Sequence, residues 1–407
     1  MNILVIQPGF PAEIPLFVRG LARMGARVYG VGDQPPHALP ATAKEGLSGY
    51  LHVQKLWDAG ALIQQLRNWS IPVKLDRVEC FWEVAMDLAA QVRQAFRIPG
   101  LDPETTRLFR NKDLMRRRLD EAGIRNPRHA AATTSAQIRQ ALEYTGYPAI
   151  IKPVSGAGSA DTYRVDHPDE FQRILPRLRH IREVVVEEFV TGTEYTFDTI
   201  TVNGKILFYN VELYRPDMLT ARSQEQISPM TISLRDLDQP HFHAALRMSQ
   251  SVITALGFQT GFTHMEWFHT PSGEVVFGEI AGRPPGGDSG ELMNYTCDFD
   301  VYNAYAEAVT KGRISQNIGR KYNVAVVFKR AQGQGKIQSI EGLNELAKRY
   351  RPHILREELL RPGAKRRDWK QTLLSDGFVI LRHPDLDKTL EMADFVANHV
   401  RLRAGTG

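Results

Sequence analysis

Cysteine is nearly absent: Cys80 and Cys297 are the only two in 407 residues. Two thiols make neither a disulfide framework nor a four-ligand zinc site, so a reducing, cytoplasmic setting is the default. Long apolar runs are missing too. No stretch approaches the roughly 20 residues that a membrane helix needs, so no membrane partner is expected. The opening MNILVIQPGF passes straight into a strand, without the basic segment and long apolar core of a signal peptide. No single sign of charge dominates, since 51 Lys and Arg face 46 Asp and Glu. The basic runs at 116–118 and 365–367 lack interleaved aromatics, so both are expected to be solvated faces and no nucleic-acid partner is expected. A mild positive balance suits an anionic small molecule instead. The first βα turn, Gln7-Pro8-Gly9-Phe10, lacks the three glycines that bring a backbone against a pyrophosphate. The N-terminal unit is therefore expected to be Rossmann-like without NAD, although Asp33 closes its second strand.

What is present reads as an ordinary globular chain, 43% hydrophobic and 24% charged, long enough for two or three domains. Residues 2–6 and 27–31 form buried-type strands flanking a helix through Leu16, Val18, Leu21 and Met24. A strand near 77–81 and a helix over 83–96 complete this unit. A second unit starts at Asp102. Asn111 caps a helix that Gly123 stops, with Lys112 in its first turn. A lysine there opposes the helix dipole, which hints at a ligand, although a plain surface lysine reads equally simply.

The strand YPAIIK ends on Lys152, an unpaired charge closing an apolar run. The small-residue loop after it, Ser155-Gly156-Ala157-Gly158-Ser159, suits backbone N–H groups folding over phosphates, and it is not a Walker A loop. Further on, VVVEEFVTGTE places Glu187, Glu188 and Glu194 around the apolar Phe189-Val190. Such an arrangement can read adenosine, and a charged hairpin edge is the alternative.

In FTHMEWFHTPSGEVVFGEIAGRPPGG, two strands flank Thr270-Pro271-Ser272-Gly273. A turn centred between Ser272 and Gly273 sets Glu266 opposite Glu279. Two facing carboxylates repel, and Mg²⁺ relieves this with phosphate oxygens as its remaining ligands. A shift of one residue would send Glu279 to the other face. His264 shares the face of Glu266 by alternation, where it lines the site or simply packs. Residues 210–232 lack periodicity and are expected to form a loop by the substrate, in which Arg215 and Arg222 are candidates to clamp a carboxylate.

The order RNKDLMRRRLDEAGI, IIKPVSGAGSADT, VVEEFVTGTE, MEWF and GEIAGRPPGG resembles the ATP-grasp superfamily, in particular its carboxylate–amine ligases, including L-amino-acid ligases. The resemblance implies an α/β (α+β ATP-grasp) fold: a Rossmann-like N-terminal domain over 1–101, ATP-grasp domains over 102–320 with a nucleotide lid at about 130–190, and a small mixed C-terminal α+β domain over 321–407. It implies ATP and Mg²⁺, or Mn²⁺ in its place, as cofactors. Lys112 and Lys152 would contact phosphates, and Ser155, Gly156, Gly158 and Ser159 would belong to the covering loop. Glu187 with the backbone at Phe189 and Val190 would read adenine, and Glu194 would hold ribose. Glu266 and Glu279 would ligate the metal, with Arg283 facing the γ-phosphate and the acyl phosphate. One departure stands out: the position two after Glu279, Asn in many members, is Ala281, which leaves the number of metal ions open.

The implied activity joins a small-molecule carboxylate to an amine through an acyl phosphate, with release of ADP and phosphate. A carboxylating or thiol-ligating enzyme on the same scaffold and a non-catalytic ATP-binding module are the competing readings. The tail after residue 321 suits lid support or a homodimer interface.

Overall fold

The computed structural model describes residues 1–69, 74–156, 161–372 and 375–405. Four parallel strands, β1 (Asn2–Ile6), β2 (Arg27–Gly32), β3 (Leu47–His52) and β4 (Arg77–Glu79), form the N-terminal sheet in the order β3-β2-β1-β4. The continuous Ile/Leu/Val run of β1 is what a strand covered on both faces requires. The helix Ile14–Arg23 packs against the helix Val301–Lys311, and Gly20 permits it: a Cβ there would lie 2.5 Å from the Tyr302 carbonyl oxygen. Cys80 and Cys297 are both free and buried.

A small antiparallel sheet follows, built from β5 (His129–Ala132), β6 (Ala149–Pro153), β7 (Tyr163–Val165) and β8 (Val184–Glu188) in the order β5-β8-β6-β7. It has its own core around Ile151, Phe171 and Val186. The largest sheet is antiparallel. It comprises β9 (Thr193–Val202), β10 (Lys205–Arg215), β11 (Met230–Ser233), β12 (Gly261–His269), β13 (Val275–Ala281), β14 (Asn323–Phe328), β16 (Ile354–Leu359) and β17 (Gly377–His383). The strand order is β13-β12-β9-β10-β11-β14-β17-β16, while β15 (Lys336–Glu341) and β18 (Arg401–Gly405) pair separately. One face of this sheet buries Phe197, Val211, Met265 and Trp267 in a core shared with the helix Pro240–Ala255. No helix among the described residues is long and apolar enough to cross a membrane.

Three expectations need correction. Residues 210–232 are not a loop: they carry the end of β10, the helix Met218–Ser223 and most of β11. Their inward side chains alternate on a sheet polar on one face, so hydropathy shows no period there. Nor does the sheet stop at the boundary expected between 320 and 321. Strand β14 pairs with β11 from Ser233↔Val324 to Met230↔Val327, and β17 and β16 extend the same sheet. Finally, Arg116 is not on a solvated face, because its side chain is only 2% exposed; within the second basic run Arg366 is likewise buried, paired with Glu225.

Because β11 loses its neighbour if the chain ends at residue 320, that truncated protein is expected to expose a sheet edge and lose cooperative thermal unfolding. A soluble 1–320 fragment with a sharp, two-state melt would contradict the continuous sheet.

Candidate active site

Strands β12 and β13 place the two central carboxylates. Near the turn His269 faces Val275 and Trp267 faces Phe277, a register that by itself would set Glu266 against Gly278. A bulge at Gly278 absorbs one residue, and beyond it Glu266 faces Glu279. The pairing expected from the sequence is therefore correct, but the bulge produces it and not the turn. Gly278 suits the post: a Cβ there would lie 2.8 Å from the Glu266 carbonyl oxygen, and its own carbonyl accepts a hydrogen bond from Arg116 at 3.0 Å.

Glu279 lies within a ladder of alternating charge. Lys112 Nζ is 2.8 Å from Glu279 Oε1, and Lys152 Nζ lies 3.8 Å from Glu279 Oε2 and 3.0 Å from Glu187 Oε2. Arg116 Nε closes the row at 2.6 Å from Glu187 Oε1. Burial opposes ionisation of Glu279, yet Lys112 and Lys152 hold its carboxyl down at about 2. Glu187 is likewise lowered, against its burial, by Arg116 and Lys152. Lys112 also donates to the Gly156 carbonyl at 3.0 Å. Asn111 accepts from Leu114 N, fixing the helix start that aims Lys112 inward.

These groups line a cavity of about 410 Å³. Of the residues expected from sequence, Lys112, Lys152, Gly156, Glu187, Phe189, Val190, Glu194, His264, Glu266, Glu279 and Arg283 all border it, as does Ala281. Ser155 is exposed and does not line it, and Gly158 and Ser159 lie outside the described residues. Arg215 and Arg222 do not line it either. Arg215 is 3.5 Å from Asp394, and Arg222 donates to the Lys370 carbonyl, because the ordered β10 and its following helix turn both toward the C-terminal segment. That same helix contributes Met218 and Leu219 to the cavity instead.

Glu83, Arg110, Arg116 and Arg164 were not singled out from sequence. Glu83 receives Arg283 (2.8 Å) on one oxygen and Arg110 (2.8 Å) on the other. The Arg164 guanidinium lies 4.1 Å from the Phe189 ring centroid. Only Arg116 had a legible signal: it stands four residues after Lys112, hence on the same helix face.

Two further groups shape the field. Burial, then the charge of Glu266, pushes Glu194 up to about 8, while its Oε2 accepts from Met218 N at 2.8 Å. His264 Nδ1 lies 2.6 Å from the buried Asp198, which raises the imidazole to about 9 against its burial. Its Nε2 is 3.8 Å from Glu266.

The donor set also tests a metal. Among the described residues no group of three or more His, Cys, Asp or Glu stands ready to hold an ion. Two opposed carboxylates beside lysines fit instead a Mg²⁺ or Mn²⁺ that arrives with phosphate oxygens already bound.

Residues 117–299 match the ATP-grasp domain family. The likeness to that family lies in this stretch, less than half of the chain. The L-arginine-specific L-amino acid ligase of Bacillus subtilis is 29% identical over 220 residues, 52% of each chain. A formate-dependent phosphoribosylglycinamide formyltransferase of Erythrobacter litoralis is 28% identical over 344 residues, 80% of this chain and 82% of the relative. Thus the chain spans about half the length of the first relative and most of the second. The crystal structure of an L-amino acid ligase from Bacillus licheniformis superposes with a TM-score of 0.80 at 20% identity, covering 100% of this chain and 99% of that one.

The cavity is expected to carry a pH signature. Glu194 binds its proton more tightly folded than unfolded, so unfolding free energy should fall as pH rises from 4.5, its ordinary value, to about 8. Glu194→Gln should flatten that fall in denaturant titrations, whereas an identical slope in both proteins would refute it.

Proposed function

We propose that this protein is an ATP-dependent ligase that activates a carboxylic acid as its acyl phosphate and joins it to an amine, forming a C–N bond. The observation that carries the reading is the convergence of Lys112, Lys152 and Arg283 with the opposed Glu266 and Glu279 on one cavity that also offers Ile150, Phe189, Val190 and Glu194. The apolar residues suit the flat adenine, with Glu187 and the backbone at 189–190 for its edge. Glu194 suits the ribose hydroxyls. The relatives named above support the same reaction type.

Glu279 pairs with both lysines, at 2.8 Å from Lys112 and 3.8 Å from Lys152. With nucleotide bound, Lys112 and Lys152 would turn to phosphate oxygens, and Glu279, so released, would hold Mg²⁺ or Mn²⁺ together with Glu266. That cation supplies charge neutralisation at the phosphoryl group. Arg283 orients the acid, whose carboxylate oxygen attacks the γ-phosphorus as the bond to ADP breaks. The amine nitrogen then attacks the acyl carbon, loses a proton, and phosphate leaves. In such chemistry the protein contributes positioning and electrostatics and needs no covalent nucleophile. The two free, buried cysteines suit a reducing, cytoplasmic setting.

With Mg²⁺ and ATP, purified protein should release ADP only when a suitable carboxylic acid is present, and hydroxylamine should trap the activated acid. Glu279→Gln should lower this rate by about a hundredfold or more. ADP release with bicarbonate alone would redirect the reading to carboxylation, and ATP binding without turnover across an acid panel would redirect it to a nucleotide sensor.

A further inference from the structure

The chain holds 18 Phe and 5 Trp, yet among these only Phe10 and Trp57 are exposed, at 48% and 49%. Both rings converge on a third. Phe10 meets Trp82 edge-on at 5.2 Å between centroids, and Trp57 meets the same ring at 5.6 Å. Val84 stands beside them in the chain, 50% exposed. Isolated exposed apolar side chains need no explanation, but rings gathered in one place do.

The place has a meaning in the fold. Phe10 follows β1, Trp57 follows β3, and Trp82 and Val84 follow β4. All lie beyond the carboxyl ends of the parallel strands, and the loops after β1 and β4 flank the point where the strand order reverses, which is where open α/β sheets take ligands. At the same edge Gln7 holds a left-handed backbone (φ 55°), strain that an ordinary loop would shed. The ring cluster adjoins the cavity at Glu83, which lines it, stands between Trp82 and Val84 in the chain, and pairs through its carboxylate with Arg283 and Arg110.

We propose that Phe10, Trp57, Trp82 and Val84 form a side-chain subsite for the acid that Arg283 orients, and that this acid bears an aromatic or other large apolar side chain. Its carboxylate competes with Glu83 for Arg283, and its side chain lies on the rings. The inference rests on the ligase reading for turnover, but binding to the rings does not.

The test uses the full chain with Mg²⁺, ATP and hydroxylamine, comparing phenylalanine, tryptophan and leucine with glycine and alanine. The large amino acids should be preferred. Trp57→Ala should lower the phenylalanine-to-glycine ratio of kcat/KM about tenfold through KM, with the KM for ATP unmoved and recovery in Trp57→Phe, the scale of one aromatic contact. Phe10→Ala, also at an exposed position, should act in the same direction. An unmoved ratio in both variants, or a preference for glycine, overturns the subsite while leaving the ligase reading intact. If no acid releases ADP, phenylalanine titrated into the protein should still quench tryptophan fluorescence, and Trp57→Phe should reduce that quench. That result upholds the subsite alone, and its absence overturns it.

Discussion

The buried row of charges from Arg116 through Glu187, Lys152 and Glu279 to Lys112 holds the site together. It joins three pieces of the fold: the helix Lys112–Glu121, the small sheet that carries Lys152 and Glu187, and β13 of the large sheet. Removing one partner of a buried pair leaves an uncompensated charge and costs about 3–5 kcal/mol. Each carboxylate in the row therefore specifies where the neighbouring cation must be. The small sheet has a core of its own, and these ion pairs link it to the helix and to the large sheet.

On the proposed reading the same row is a preorganised receptor for anions: its three cations already face one cavity, and the two glutamates would give them up to phosphates. Such a site needs little reorganisation when charge develops on a transferring phosphoryl group. Glu83 plays a parallel part on the N-terminal side, pairing with both Arg283 and Arg110. The cavity thus keeps its own counter-ions, which explains why so many like charges can converge without unfolding the chain.

The local elements around the site were legible. Apolar runs ending in Lys152, the Asn111 cap before Lys112, and two strands around a Pro-Ser-Gly turn each follow from short-range chemistry, and all are present. Arg215 and Arg222 show the limit of that approach. As residues of an aperiodic stretch they looked free to clamp a substrate, but the stretch pairs into the sheet and carries them away from the cavity. Hydropathy registers burial only when the buried face is apolar, and the cavity side of β9, β10 and β12 is polar: Asp198, Glu212 and His264 lie there, bonded to one another or to Ser289 and Asn210.

By itself the sequence determined the strands, the caps and the residue types that can meet a nucleotide, because these depend on neighbours a few positions apart. Only the tertiary structure decided which of them meet. The Gly278 bulge put Glu279 on the face of Glu266, strand pairing joined β14 to β11 across an expected boundary, and Arg116 was drawn inward by a glutamate 71 positions away. Registers, bulges and buried ion pairs are set by partners distant in the chain, and no local pattern encodes them.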